Sequence, residues 1–398
     1  MEYESLYYIY YKEPDKWEVE YRTRFSSPFA RQLPFVLRQY GRNAEHPAFF
    51  CYTEEIALLQ DKIMGQFKEF MEIAGRLPGA AMEIYLHGSL IEEIKSTNDI
   101  EGVRSTRREI MEAMALPEGV RRGRRLGSVV DQYEKIIRGE EFPLKTCEDI
   151  RRLYDDFMSD EIERDNPHNL PDGQIFRRGS VDIVSAAQKT VHRGLYPETK
   201  IIEAMEKALA VLNDESIPVF VRVAIFHYLL GYIHPFYDGN GRLSRFITAC
   251  FFARQLHPAV ALGLSALIKG RRGRYYELFS QTEADINKGE LTPFILGFME
   301  LTCEAVNNAA ESLRQKLADY EKNLPRLAEL PGTKTTRALC ELLLQAALFS
   351  PQGITVKEMQ KQLGKSENTI YSHLKKIPSE MLLVDERGRN YLYRLTAE

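Results

Sequence analysis

His234-Pro235-Phe236-Tyr237-Asp238-Gly239-Asn240-Gly241-Arg242-Leu243-Ser244-Arg245 decides how this chain is read. Just ahead of it, Phe220, Val223, Phe226, Leu230 and Ile233 recur at helical spacing in a segment that is hydrophobic nearly all round. Pro218 suits the first turn of that helix. The pattern predicts a helix at the centre of a bundle, ended at His234 because the residue before a proline resists helical geometry. Asp238-Gly239-Asn240-Gly241 then forms a turn of residues that tolerate positive φ. A new amphipathic helix follows with Arg242.

A glycine-containing turn that feeds a helix start presents unpaired backbone N–H groups and the positive end of the helix dipole, which together make an anion site. Arg242 and Arg245 lie three apart on one face of the first turn, where their guanidiniums can grip phosphate oxygens. The loop is therefore read as a polyphosphate site. His234 can serve as a base near neutral pH. Asp238 is a hard oxygen ligand suited to a Mg²⁺ shared with phosphates. Asn240 can donate its amide to a phosphate oxygen, and Phe236 points inward to anchor the loop. His227, one heptad before His234, invites a pairing, but no carboxylate or cysteine stands at zinc spacing from either histidine. It reads as a hydrogen-bonded core histidine.

The string resembles the Fic/Doc family signature H-x-F-x-[DE]-G-N-G-R-x-x-R, with every fixed position met. The resemblance covers roughly residues 80–310. It implies a mainly α fold, a Fic-type helical bundle with a small β-hairpin flap, and protein adenylyltransferase activity with ATP as substrate and Mg²⁺ on Asp238. On that analogy His234 takes the proton of a target Ser, Thr or Tyr hydroxyl, which attacks the α-phosphate. Asp238, Gly239, Asn240, Gly241, Arg242 and Arg245 bind the nucleotide. Phosphate transfer of the Doc type accompanies a lysine where this chain has Gly241, so AMP transfer is the favoured form. Other donors stay open, as does the reverse reaction, removal of AMP by the same residues.

Three further segments take their meaning from the resemblance. Gly173-Gln174-Ile175-Phe176-Arg177-Arg178-Gly179-Ser180-Val181 looks like the strand into the family's flap, which then covers about 181–196 and docks a target protein by strand pairing. Tyr275 and Tyr276 resemble the family's pair after the motif, set against adenine or packed in the core. Thr97-Asn98-Asp99-Ile100-Glu101-Gly102 resembles the inhibitory motif [ST]-x-x-x-E-[GN]. It implies that Glu101 forms a bidentate pair with Arg245, with Thr97 bracing the helix end one turn away and Gly102 closing the motif.

Elsewhere the pattern is mostly helical. Residues 1 to about 50 read as a lead-in with a short strand around Leu6–Tyr11. Helices are predicted from Glu54 to Met114, broken at Leu77-Pro78-Gly79, with a second helix from about Ala81 through Ile94 and the helical inhibitory segment at about 81–105. Arg121-Arg122-Gly123-Arg124-Arg125 is a solvated basic face or a contact for a partner or phosphate. Helices resume at Glu198 and run to about Tyr320, with Leu324-Pro325 and Leu330-Pro331-Gly332 as a boundary. The tail reads as helices over Thr336–Phe349, Val356–Leu363 and Ser366–Ile377, then two short strands joined through Arg387-Gly388-Arg389-Asn390. That order resembles a winged helix-turn-helix, whose third helix, 366–377 with Asn368, Tyr371, Lys375 and Lys376, contacts DNA or a protein. From Gly332 onward ten Lys/Arg face seven Asp/Glu, a mild bias. The expected domains are 1–120, a catalytic core over 121–322, and 333–398.

The bulk composition fits. The chain of 398 residues is 44% hydrophobic with a net charge of −4, so a nucleic-acid role cannot rest on overall charge. Five scattered cysteines form no C-x-x-C pair, and the start lacks a signal-peptide pattern, which together point to the cytoplasm. A homodimer and a DNA-binding regulator with a nucleotide-sensing core are compatible with the same residues.

Overall fold

The computed structural model describes residues 3–184, 188–328, 332–350, 352–387 and 390–396. Residues 185–187 of the expected flap, Leu330-Pro331 of the expected boundary and Gly388-Arg389 of the expected wing turn lie outside these. The chain divides into two compact units, each built from separated stretches: residues 1–64 with 92–305, and residues 65–91 with 306–398.

The chain opens with α1 (Leu6–Lys12), α2 (Pro14–Phe25) and a hairpin of β1 (Ala30–Leu37) and β2 (His46–Cys51). The strand expected at Leu6–Tyr11 is thus a helix. Ser5 caps it by accepting from the Tyr8 N–H, and Leu6 and Ile9, one turn apart, are its buried residues. Then come α3 (Glu54–Ala74), α4 (Gly79–Ile100), α5 (Arg107–Met114), α6 (Glu118–Arg121), α7 (Gly127–Ile137) and α8 (Cys147–Asp165). Capping boxes at Thr106/Glu109 and Thr146/Asp149 start α5 and α8. The second hairpin, β3 (Asp182–Val184) with β4 (Thr190–Arg193), falls in the expected flap.

The bundle follows: α9 (Glu198–Leu212), α10 (Val219–Ile233), α11 (Asn240–Gln255), α12 (Pro258–Ala261), α13 (Leu264–Gly270), α14 (Arg272–Glu283) and α15 (Thr292–Ala328). Twelve of the fifteen residues of α10 are buried, and it packs on α9 and α11, so the all-round apolar pattern marks the centre of the bundle. Leu324-Pro325 does not end a helix: α15 carries Pro325 inside it.

In the second unit α16 (Lys334–Phe349), α17 (Val356–Leu363) and α18 (Glu367–Leu374) precede β5 (Leu382–Arg387) and β6 (Asn390–Leu395), which pair antiparallel. Ile370 and Leu374 of α18 are buried, whereas Asn368, Tyr371, Lys375 and Lys376 are exposed. Among the described residues no helix is long and apolar enough to cross a membrane.

Candidate active site

α10 ends at His234, which adopts φ 52°, ψ 63°, a left-handed conformation that costs a residue with a Cβ roughly 1–2 kcal/mol. Its own N–H reaches the Leu230 carbonyl at 2.9 Å. The bond that secures the other side comes from Arg177, a fully buried side chain whose Nε donates to the His234 carbonyl at 2.9 Å. Arg177 Nη2 donates to the Leu195 carbonyl at 2.9 Å, and Nη1 donates to that of Gly179. One guanidinium therefore ties both ends of the flap to the loop. Burial pulls the Arg177 pKa down to about 10. Gly194 fits here because a Cβ would press on Arg177 Nη2 and lie 2.9 Å from the His234 Cβ.

The His234 Nδ1 is 3.3 Å from the Gly231 carbonyl, which can only accept. Nδ1 therefore carries the hydrogen, and Nε2 presents a lone pair. Burial, seconded by His192 and Arg177, pushes the imidazole down to about 3, so it is neutral across the physiological range.

Past His234 the loop is pinned by Phe236, whose ring stacks on Tyr154 at 3.7 Å and 7° with Phe176 at its edge. Asn240 turns its amide onto the loop backbone. Its Oδ1 accepts from the Phe236 N–H at 3.0 Å and its Nδ2 donates to the Phe236 carbonyl at 2.8 Å, which satisfies a buried turn peptide. Gly239 caps α11 at φ 82°, where glycine is free of the Cβ penalty. Asp238 Oδ1 accepts from the Gly239 N–H and lies 3.3 Å from Arg242 Nη2, while the side chain stays 46% exposed.

Arg242, expected to grip phosphate, is buried and committed inward. Nη1 lies 3.3 Å from Glu161 Oε2 on α8, and Nη2 is on Asp238. A carboxylate from α8 offsets the cost of burying this guanidinium. Arg245 is the cation that faces the turn at the end of α4. Its Nε donates to Thr97 Oγ1 at 2.8 Å, and Nη2 donates to the Thr97 carbonyl at 3.1 Å and to Glu101 Oε1 at 2.7 Å. The expected bidentate pair is thus a single contact, because Thr97 takes the rest of the fork. The Thr97 hydroxyl goes to Arg245 and does not brace the helix end. That end is closed by Gly102 at φ 74°, with Val103 N bonded to the Asn98 carbonyl at 2.9 Å and Gly102 N to that of Asp99 at 3.2 Å. This six-to-one closure stops α4 one residue before Glu101 and turns the carboxylate toward α11.

The tyrosine pair divides. Tyr275 is buried, its Oη 2.7 Å from His227 Nε2, and the His227 Nδ1 is 2.9 Å from Thr248 Oγ1 and 3.0 Å from Ser244 Oγ. His227 is a core histidine that burial pushes down to about 3. Tyr276 is 43% exposed with the Arg272 guanidinium 5.5 Å over its ring, and Glu101 and Arg245 both act on its phenol. In the flap, Ile183 pairs with His192, whose Nε2 lies 2.7 Å from the Tyr232 carbonyl and Nδ1 2.9 Å from Glu283 Oε2. In the basic cluster, Arg121 is buried against Asp131 and Glu134, and Arg125 pairs with Glu109. Among the described residues no group of three His, Cys, Asp or Glu side chains could hold a metal ion.

Arg177, Glu161 and Glu93 are the residues that sequence reasoning left without a role. Arg177 stood in the quoted flap segment, yet a guanidinium spent on carbonyls leaves no spacing signal. Glu161 lies 81 residues from its arginine.

Residues 143–252 match the family model described as Fic/DOC family. The chain is 35% identical over 98 residues to protein adenylyltransferase fic-1 of Caenorhabditis elegans, covering 24% of this chain and 18% of that protein. It is 36% identical over 87 residues to protein adenylyltransferase Fic of Drosophila erecta, covering 21% and 16%. The match thus spans about a fifth of the length of these relatives. A Fic family protein from Desulfovibrio desulfuricans shares the fold, with a TM-score of 0.52 over 88% of this chain and 98% of that one, at 19% identity.

Proposed function

The chain belongs to the Fic/DOC family through residues 143–252, and on that premise we propose that it transfers AMP from ATP to a hydroxyl of a target protein and is held in check by Glu101. The observation that carries this reading is the meeting of Glu101 with Arg245 and Gly241 at the start of α11, six residues after the neutral His234 that ends α10. The neutral His234 Nε2 is a base, Arg245 is a buried cation, and the Glu101 carboxylate lies on both Arg245 and Gly241.

In the reaction, the target hydroxyl gives its proton to His234 Nε2 as its oxygen bonds to the α-phosphorus. The bridging P–O bond to the β-phosphate breaks, and pyrophosphate leaves. The N–H groups of the first turn of α11 and the Arg245 guanidinium carry the charge of the terminal phosphates. Arg242 acts from behind by holding Asp238 at the loop edge. Asp238 is a half-exposed hard oxygen donor and, with no three-residue cluster among the described residues, fits a Mg²⁺ that takes its other ligands from the nucleotide and water. Such an ion would neutralise phosphate charge.

Glu101 opposes this chemistry from the place a terminal phosphate needs. It offers a carboxylate to the same helix start and the same guanidinium. The test uses ATP labelled at the α-phosphate, Mg²⁺, and wild type, Glu101→Gly, and Glu101→Gly with His234→Ala. Label on protein in the single variant that vanishes in the double supports the reading. Absence of label in every sample, with lysate supplied as target, overturns it.

A further inference from the structure

The half of α4 that carries Thr97 toward Glu101 is buried in an unusual way. Glu93, Ser96, Thr97 and Asn98 are each at most 3% exposed, alongside Ile94 and Ile100. A helix segment meant to stay put permanently is better sealed with leucine-type side chains, since burying polar groups returns little hydrophobic free energy. Polar groups that are buried but hydrogen-bonded lose less on returning to water. This segment has the composition of an element that can leave its seat.

Glu93 is what holds it there. It lies two helical turns before Glu101, on the same face as Thr97. Its Oε2 accepts from the Ser265 N–H at 3.0 Å. Its Oε1 accepts from the Ser265 hydroxyl and from Tyr133 Oη at 3.4 Å. Ser265 opens α13. At the other end of α13, Lys269 donates to Asp99 Oδ2 at 2.6 Å, and Lys95 also pairs with Asp99. α13 thus grips α4 at two points, one buried and one exposed, on either side of Thr97. Neither point bonds to His234 or Asp238, though Glu93 lies within the field of Arg245.

We infer that α13 is the seat of the inhibitory segment and that Glu93 is its buried latch, a positioning residue that sets how long Glu101 stays on Arg245. The inference rests on the reading of Glu101 given above. Losing Glu93 strips Ser265 of two acceptors and unseats the segment, whereas Gln at this position keeps an acceptor for the Ser265 N–H and a group of the same size.

The experiment measures label from α-phosphate-labelled ATP in the full chain for wild type, Glu93→Ala, Glu93→Gln, Lys269→Ala, Glu101→Gly, and Glu93→Ala with Glu101→Gly. Losing the hydrogen bonds from the Ser265 N–H, the Ser265 hydroxyl and Tyr133 should raise labelling in Glu93→Ala roughly tenfold or more over wild type. At pH 5.5, where the seated Glu93 carboxyl is protonated, Glu93→Gln should stay near wild type, and the exposed Lys269→Ala, which poses no folding risk, should rise by about twofold. Glu93→Ala should add nothing to Glu101→Gly, since a latch acts only through what it holds. Wild-type labelling in both Glu93→Ala and Lys269→Ala beside an active Glu101→Gly overturns the latch, and so does a lower rate in the double variant than in Glu101→Gly. If Glu101→Gly itself takes no label, the AMP-transfer reading has failed, and amide hydrogen exchange over residues 94–103 decides the latch alone. Faster exchange in Glu93→Ala and Lys269→Ala with Glu93→Gln near wild type supports it, and unchanged exchange overturns it.

Discussion

Glu101 Oε1 lies 2.7 Å from Arg245 Nη2, and the same oxygen occupies the space that a Cβ on Gly241 would need. The carboxylate is therefore seated at the first turn of α11, at the positive end of the helix, and on the buried cation at once. Gly241 leaves room for this contact, because a Cβ there would push the Glu101 carboxylate aside. The position that separates AMP transfer from phosphate transfer by family resemblance is, in this chain, also the floor on which the acid rests.

Thr97 contributes to that seat by accepting from Arg245 Nε at 2.8 Å. Thr97→Val keeps the shape and removes the acceptor, a bond to a charged donor worth about 1.5–3 kcal/mol. Part of that loss falls on Arg245 itself, so labelling should rise by several-fold but stay below Glu101→Gly. The two rates measured side by side check this; a rate in Thr97→Val equal to wild type would show that the hydroxyl plays no part in holding the acid.

Glu161 and Arg242 form a buried pair behind the loop, 3% and 7% exposed for arginine and glutamate. Glu161→Ala leaves a buried guanidinium with only the half-exposed Asp238 as partner, and breaking such a pair costs about 3–5 kcal/mol. Urea unfolding should show that loss, with Glu161→Gln intermediate. Activity in Glu161→Ala should fall with it, because Asp238 then draws Arg242 forward.

His234 is neutral in the folded protein, with its pKa pushed down to about 3 by burial. In a Glu101→Gly background the rate should therefore show no decline attributable to the imidazole as pH falls from 8 to 6, where a free histidine would lose most of its basicity at about 6.5. The lowered folded pKa also means that stability is withdrawn as pH falls below about 6.5, since the unfolded chain then binds a proton that the folded one refuses. A pH–rate profile of that variant checks the first point, and a half-maximal rate near pH 6.5 would contradict it.

What was legible in the sequence was what short-range rules govern. The apolar spacing before His234, the proline after it and the glycine turn before Arg242 place α10, the loop and α11 without reference to anything distant. The capped helices of the tail were readable for the same reason, whereas α4 runs on through Thr97 to Ile100, past the end expected near Ile94. The roles of Asn240, Arg242 and Arg177 were not. A polar side chain beside a phosphate turn can serve either the ligand or the loop, and only the positions of the Phe236 peptide, Glu161 and the Leu195 carbonyl decide for the loop. At the start of the chain, closely spaced tyrosines imitated a strand, while the Ser5 cap and the one-turn spacing of Leu6 and Ile9 prevailed. That each compact unit joins stretches far apart in the chain has no local signature at all.

The latch at Glu93 carries a pH signature of its own. Burial holds its carboxyl up at about 7, even though the Ser265 hydroxyl and N–H, Arg245 and Tyr133 all favour the charged form. Facing it are Ser265 from α13, Tyr133 from α7 and Arg245 from α11, with Thr97 and Glu101 on α4 itself. Tyr133 and Arg245 are both pushed upward, so neither changes charge near neutrality. An unseated Glu93 in water would lose its proton near the ordinary carboxylate value of about 4.3. Between that value and about 7 the seated segment binds a proton that the released one does not, so raising the pH through this window favours release, by at most about tenfold per pH unit. Wild-type labelling, expressed relative to Glu101→Gly at each pH to remove the pH dependence of the chemistry, should therefore climb from pH 5.5 to pH 7 and then level off. Glu93→Gln, which has no proton to lose, should give a flat ratio. A wild-type ratio that falls with rising pH, or a climb that persists in Glu93→Gln, would assign the effect to another group and leave Glu93 as a seat without a switch.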